Sequence, residues 1–143
     1  MSSRTEQPAN GRLKLRNSAK ALVTRGDRTL IIKERHADGS VFWTIPGGGT
    51  HRNESTAAAL RRELFEELQC QGTIEDRVAQ YWYAHTSRDK TVSQWSVYTC
   101  TLVSSAEPNP TEGILAKRWA LPEELPPRTL PQVRYLVERH VSE

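Results

Sequence analysis

The chain has 143 residues and a net charge of +3, from 20 Lys and Arg against 17 Asp and Glu. That length makes one domain with a single sizeable core, and so small a net charge does not argue for a nucleic-acid-binding protein. The opening dozen residues are polar and carry no signal-sequence core, and no run is long enough to span a membrane.

In chain order, residues 1–11 read as a disordered leader and 12–143 as one continuous α/β domain. Arg12, Lys14, Arg16 and Lys20 gather near the start. The plain reading is a solvated, partly disordered tail, and the rival is a polyphosphate or RNA contact. Ser18–Thr24 and Thr29–Glu34 read as short strands around a Gly26–Asp27 hairpin turn. Val41–Ile45 is a third strand, ending at Pro46 before Gly47, Gly48 and Gly49. Asn53 is the expected N-cap of a helix with Glu54 in its first turn. Val78–His85 and Val92–Leu102 read as longer strands joined by a charged turn at Ser87–Lys90. Ala116–Ala120 is a last strand and Pro122–Leu125 a helical turn. Pro131–His140 closes the chain as a helix with Val133, Leu136, Val137 and His140 inward. Cys70 and Cys100 lack metal-site spacing, so both are expected as reduced packing residues in a cytoplasmic protein.

The helix carries the chemistry. At about 100° per residue, Glu66 lies roughly 60° to one side of Glu63 and Glu67 roughly 40° to the other, so the three carboxylates share one face. Ala57, Leu60, Leu64 and Leu68 form an adjacent apolar stripe, while Ala59 on the acidic side leaves room for something to approach. Carboxylates this close repel and raise one another's pKa unless a cation intervenes. Hard oxygen donors suit Mg²⁺, with Mn²⁺ as substitute, over zinc. Alone, such a string is equally a solvated helix with an Arg62–Glu66 pair, and a glycine triplet alone is a turn. No Gly-Lys-Ser/Thr follows the glycines, so this is not a Walker A loop.

Glycines and carboxylates together are more specific. From Gly48 the chain runs through five residues to Glu54, seven more to Arg62–Glu63–Leu64, and one more to Glu66–Glu67. This resembles the Nudix box, the loop–helix–loop signature of the Nudix hydrolases, and Trp43, Pro46 and Gly47 upstream are also typical of that family. The resemblance extends loosely from Ser18 to Val137. One position departs from the pattern: Gln69 stands where the box has glycine, with Cys70 in the aliphatic slot. Glycine would stop the helix in a left-handed conformation, so here the helix is expected to run on and end at Gly72.

The resemblance implies an α/β/α sandwich, a mixed sheet flanked by helices. It also implies a Mg²⁺-dependent pyrophosphohydrolase whose metal ligands are Glu63, Glu66, Glu67 and the carbonyl of Gly47. Glu63 or a glutamate outside the box serves as general base; Glu112 is the outside candidate and Glu107 its rival. Gly48, Glu54 and Arg62 are supports that hold the loop and the carboxylates. His51 and Arg52 either touch phosphate or are simply solvated. His36, His85 and His140 show no metal spacing. Tyr81, Trp82, Tyr83 and Trp95 are mostly sheet packing, with one or two able to stack on a base.

The implied substrate is a nucleoside diphosphate joined to another group: a nucleoside triphosphate, a dinucleoside polyphosphate or a nucleotide sugar. Capped RNA stays open as a further substrate. At Thr86–Ser87–Arg88, where ADP-ribose-cleaving members often carry proline and dinucleoside-polyphosphate-cleaving members tyrosine, neither marker is present. The alternative function is a non-catalytic nucleotide-binding or sensing module of the same fold, although such modules usually lose box acids that this chain keeps. Substrate identity, metal count, and the choice between monomer and homodimer stay open at this level.

Overall fold

The computed structural model describes residues 13–84 and 90–141. The leader, Arg12, His85, the Ser87–Asp89 part of the charged turn and the Thr86–Arg88 window lie outside the described residues. Two β-sheets form the middle of the molecule. The first has the order β5-β1-β7-β6: β1 (Lys14–Leu22), β5 (Gly47–Gly49), β6 (Gly72–Ala84) and β7 (Thr91–Leu102). It is mixed, because β1 and β7 run parallel while the other neighbours are antiparallel. The second is antiparallel. Its centre is β3 (Arg28–Arg35), flanked by β4 (Val41–Thr44) and β8 (Ile114–Ala120), with the short β2 (Thr24–Arg25) closing the Gly26–Asp27 hairpin.

Strand alternation divides the core in two. Ala19, Ala21, Leu30 and Ile32 point toward α1 (Thr56–Leu68) and pack with Leu60, Leu64 and Leu68. Leu22, Ile31, Trp95 and Val97 point the other way and pack with Val133, Leu136 and Val137 of α2 (Pro131–His140). The expected layered arrangement, sheet flanked by helices, is therefore what forms. Cys70 and Cys100 are buried, free thiols of the first core; burial raises the Cys70 pKa and pushes that of Cys100 up to about 12. Among the described residues no helix is long and apolar enough to cross a membrane.

Several boundaries differ from the sequence expectation, each through long-range pairing. β1 begins at Lys14, not Ser18, because β7 supplies a parallel partner from Lys14↔Thr91 through Leu22↔Thr99. Lys14, Arg16 and Lys20 are thus strand residues and not a solvated tail, and Lys20 is only 5% exposed. β6 begins at Gly72, not Val78; irregular register around Arg77 lets the charged Glu75–Arg77 stretch stay in the strand while facing solvent. β8 starts at Ile114, two residues before the expected Ala116, paired with β3. In α2, His140 is exposed and Val141 takes the inward position at the helix end.

Both ends of α1 also moved. Ser55 is the N-cap, its Oγ accepting from the Ala58 amide at 3.1 Å, while Asn53 sits in the preceding turn with φ 66°. The helix stops at Leu68 and does not continue to Gly72. Gln69 itself takes the left-handed conformation (φ 52°, ψ 38°), sharing its amide between the Leu64 and Phe65 carbonyls. A packed loop makes this worthwhile: the amides of Glu107 and Asn109 bond the Leu68 and Glu67 carbonyls at 2.7 and 2.9 Å, and Asn109 Nδ2 bonds Glu66 O at 2.9 Å. Gln69 Nε2 donates to Glu107 O at 3.1 Å. These partners satisfy helix-end carbonyls that otherwise lack any, which outweighs the roughly 1 kcal/mol of left-handed strain on a non-glycine residue.

Candidate active site

The site is built where β5 presses against β1 and α1 meets both. Gly47 has φ 132°, and a Cβ there would run into the carbonyl oxygen of Ala19, so only glycine lets the strands approach. Its peptide is held from both ends: the N–H donates to Glu67 Oε1 at 2.9 Å, and the carbonyl accepts from Lys20 Nζ at 3.2 Å. At Gly48 the missing side chain admits the Glu63 carboxylate, whose Oε2 lies 2.7 Å from where a Cβ would stand.

Arg62 ties the loop to the helix. Its guanidinium grips Glu54 through two bonds of 2.8 and 3.0 Å and donates to the Gly49 carbonyl at 2.9 Å. It also reaches Glu63 at 3.1 Å and Glu66 at 3.2 Å. Glu54 in turn accepts from the His51 amide at 2.8 Å. The Arg62 hydrogen bonds, then the His51 amide, hold the Glu54 pKa down at about 2, while the Glu54 hydrogen bond, with Glu63 beside it, raises that of Arg62.

The other carboxylates are pushed the opposite way. Burial raises the Glu63 pKa, opposed by Arg62 and reinforced by the charge of Glu66. Glu67, 5% exposed, is raised well above the usual range, first by burial. Lys20 opposes that rise, and the charges of Glu34 and Glu63 add to it. Glu34 lies lower than usual: burial alone would raise it, but the His36 hydrogen bond and the Lys20 charge prevail.

These groups surround a cleft of about 470 Å³. Glu63, Glu67, Gly47, Gly48 and Glu112 line it, together with Arg16, Lys20, Glu34, His36 and Trp95. Glu112, at the end of a short 3₁₀ turn (Pro110–Glu112), is exposed at the rim. Glu107 does not line the cleft. Glu66 stands outside it, its side chain 38% exposed and paired to Arg62. Ala59 is fully buried, so the open space expected beside it is absent. His51 and Arg52 are exposed away from the cleft. Trp82 is exposed and Tyr81 packs edge-on against Tyr135, neither lining the cleft, whereas Trp95 reaches it. Ser18 Oγ and Thr44 Oγ1 are buried beside it without a hydrogen-bond partner among the described residues, a pattern suited to a polar ligand.

Among the described residues no three acidic, histidine or cysteine side chains already converge as a metal cage. The donor set nevertheless suits a hard divalent cation. Glu67 is a buried carboxylate and Glu63 a half-buried one, each raised in pKa first by burial, and the Gly48 hollow lets Glu63 lie close on the backbone.

A family model described as the NUDIX domain matches residues 14–140, nearly the whole chain. The chain belongs to the Nudix family. A MutT NUDIX hydrolase from Burkholderia pseudomallei shares the fold with a TM-score of 0.79 and 21% identity, over 89% of this chain and 98% of that one. The E. coli ORF135 protein follows with 0.71 and 23%, over 92% and 91%. An RNA pyrophosphohydrolase from Bartonella clarridgeiae is 33% identical over 60 residues, which is 42% of this chain and 35% of that protein. The alignment thus spans about a third of the relative's length. Family and fold agree: the family match covers nearly the whole chain, and the solved neighbours share its architecture.

Outside the Nudix box, sequence reasoning did not place Ser18, Glu34, His36 or Thr44 in the site, and it named Lys20 only within the basic cluster whose rival reading was a polyphosphate or RNA contact. A signal existed for Lys20 and Glu34. Lys20 interrupts the small and apolar stretch Ser18–Val23, and Glu34 follows Lys33 just past the apolar run Leu30–Ile32. Ionisable residues at such positions stay buried only when paired.

Proposed function

We propose that this chain, through one domain over residues 12–143, is a Mg²⁺-dependent Nudix hydrolase that cleaves a phosphoanhydride bond in a nucleoside-diphosphate-linked substrate. The observation that carries it is the meeting of Glu63 and Glu67 with the Gly47–Gly48 backbone in one cleft also lined by Arg16 and Lys20. Glu63, Glu66, Glu67 and the Gly47 carbonyl are the residues that would hold the metal, with Glu66 turning in from Arg62. When bound, Mg²⁺ or Mn²⁺ supplies charge masking on the phosphates and activation of the attacking water.

The chain's own residues supply the rest. Arg16 and Lys20 offer positive charge to the phosphates, and the unpaired hydroxyls of Ser18 and Thr44 offer polar contacts. Arg62 and Glu54 keep Glu63 in place. The attacking water needs a base. Glu112 at the cleft rim and Glu63 inside it are the candidates; Glu107 is displaced from that role because its backbone caps α1 away from the cleft.

The test is hydrolysis by the pure protein with Mg²⁺, and separately Mn²⁺. The panel comprises nucleoside triphosphates, dinucleoside polyphosphates, nucleotide sugars including ADP-ribose, NADH and capped RNA, the last prompted also by the Bartonella relative's name. Phosphate, pyrophosphate or nucleotide release from at least one substrate, abolished by EDTA, is expected. Silence across the panel with both metals would shift the reading to a nucleotide-binding or sensing module.

A further inference from the structure

Beyond offering charge to the phosphates, Lys20 already contacts a group assigned to the metal. A lysine only 5% exposed is costly unless its charge is matched. Here the ammonium donates to the Gly47 carbonyl at 3.2 Å and sits 4.6 Å from the centre of the Trp95 ring. It is also the leading opposite charge acting on Glu67, and Glu34 feels it as well. The Gly47 peptide is therefore gripped between Glu67 at its N–H and Lys20 at its carbonyl. Two of the groups assigned above to the metal are the groups that this cation already serves.

We propose that the Lys20 ammonium is an internal competitor for the metal position: it occupies the Gly47 carbonyl until a divalent cation displaces it. Lys20 is thus a positioning residue that sets how tightly this chain binds metal. The inference rests on the metal-site assignment above. Physically, an entering cation meets a fixed like charge in a buried site where such repulsion is poorly screened. It must also release the ammonium from Gly47. Glu34, tethered by His36 at 3.5 Å, gives the released ammonium a second carboxylate beside the same cleft.

The experiment is equilibrium Mn²⁺ binding to the full chain without substrate, counted by the EPR signal of free Mn²⁺. Lys20→Met, which keeps the length of the stem and removes the charge, should bind Mn²⁺ at least about tenfold tighter than the parent. Lys20→Arg should stay close to the parent. A merely structural lysine predicts the opposite direction, since a damaged site binds more weakly. Unchanged or weaker binding in Lys20→Met overturns the inference and leaves the metal site standing. Absence of Mn²⁺ binding in the parent, matched by Glu67→Gln, overturns both.

A second measurement does not depend on Lys20→Met folding. Saturating the parent with Mg²⁺ should alter the Trp95 contribution to fluorescence, taken as the difference from Trp95→Phe, because the ammonium leaves the ring. Mg²⁺ saturation with no Trp95-dependent change overturns the displacement.

Discussion

Gly48→Ala separates the two jobs of the adjacent glycines. A Cβ at Gly48 would stand 2.7 Å from Glu63 Oε2, and an ordinary contact begins near 3.4 Å, so the carboxylate must retreat by about 0.7 Å. The obstacle is the far end of a side chain, and Gly48 does not have a positive φ, so the backbone of β5 can stay where it is. Alanine also restricts the unfolded chain, and stability should stay within about 1 kcal/mol of the parent. Turnover should not survive as well. Misplacing a reacting group by about 1 Å costs on the order of 100-fold, so a shift somewhat smaller should lower kcat by about 10- to 100-fold, or roughly 1.4–2.7 kcal/mol of barrier. Gly47→Ala provides the contrast: its Cβ meets the backbone of Ala19 and Lys20, and it should unfold or weaken the β1–β5 pairing outright. Steady-state hydrolysis of the best panel substrate and urea unfolding of both variants make the comparison. Full activity in Gly48→Ala would refute the placement of Glu63, and equal destabilisation of the two variants would refute the distinction between side-chain and backbone obstruction.

Glu67→Gln should lower turnover by about 10²-fold or more while the thermal midpoint holds, because the amide oxygen still accepts from the Gly47 N–H; Glu67→Ala should lose both, as a paired thermal melt and activity assay would reveal. Gln69→Gly relieves the φ of 52° but gives up the bond to Glu107. Urea unfolding should therefore show a change between zero and about +1 kcal/mol, with turnover within a few-fold; a large gain in turnover would mean that the helix exit limits the parent enzyme. Glu54, with its pKa lowered to about 2 from an ordinary 4.5, contributes stability above pH 4.5 that disappears as pH falls toward 2. Acid titration followed by circular dichroism should show Glu54→Gln with a shallower loss across that window, and parallel curves would contradict the Arg62–Glu54 clamp.

The parts legible in the sequence were those governed by local periodicity. The acidic face of α1 follows from residues spaced three and four apart on a helix, whatever the helix packs against. Likewise the inward set Val133, Leu136 and Val137 of α2, and the hairpin at Gly26–Asp27, rest on short-range geometry and turn chemistry. Helix ends were less legible, since Ser55 and Asn53 are both good caps and only the loop path selects between them. The left-handed exit at Gln69 could not be read locally at all, because the Glu107–Asn109 backbone that stabilises it lies some forty residues away in the chain.

By itself, then, the sequence determined the family, the alternating strands and the three carboxylates of one helix, because these depend on contacts within a few residues. Only the tertiary structure decided that the basic residues after the leader belong to a strand, that Lys20 is buried over Trp95, and that Glu112 and not Glu107 reaches the cleft. Each of those outcomes needed a partner distant in sequence: β7 beside β1, Gly47 against Lys20, a loop docked on α1. Burial and charge pairing across such distances arise when the layers close, and no local pattern of residue types encodes them.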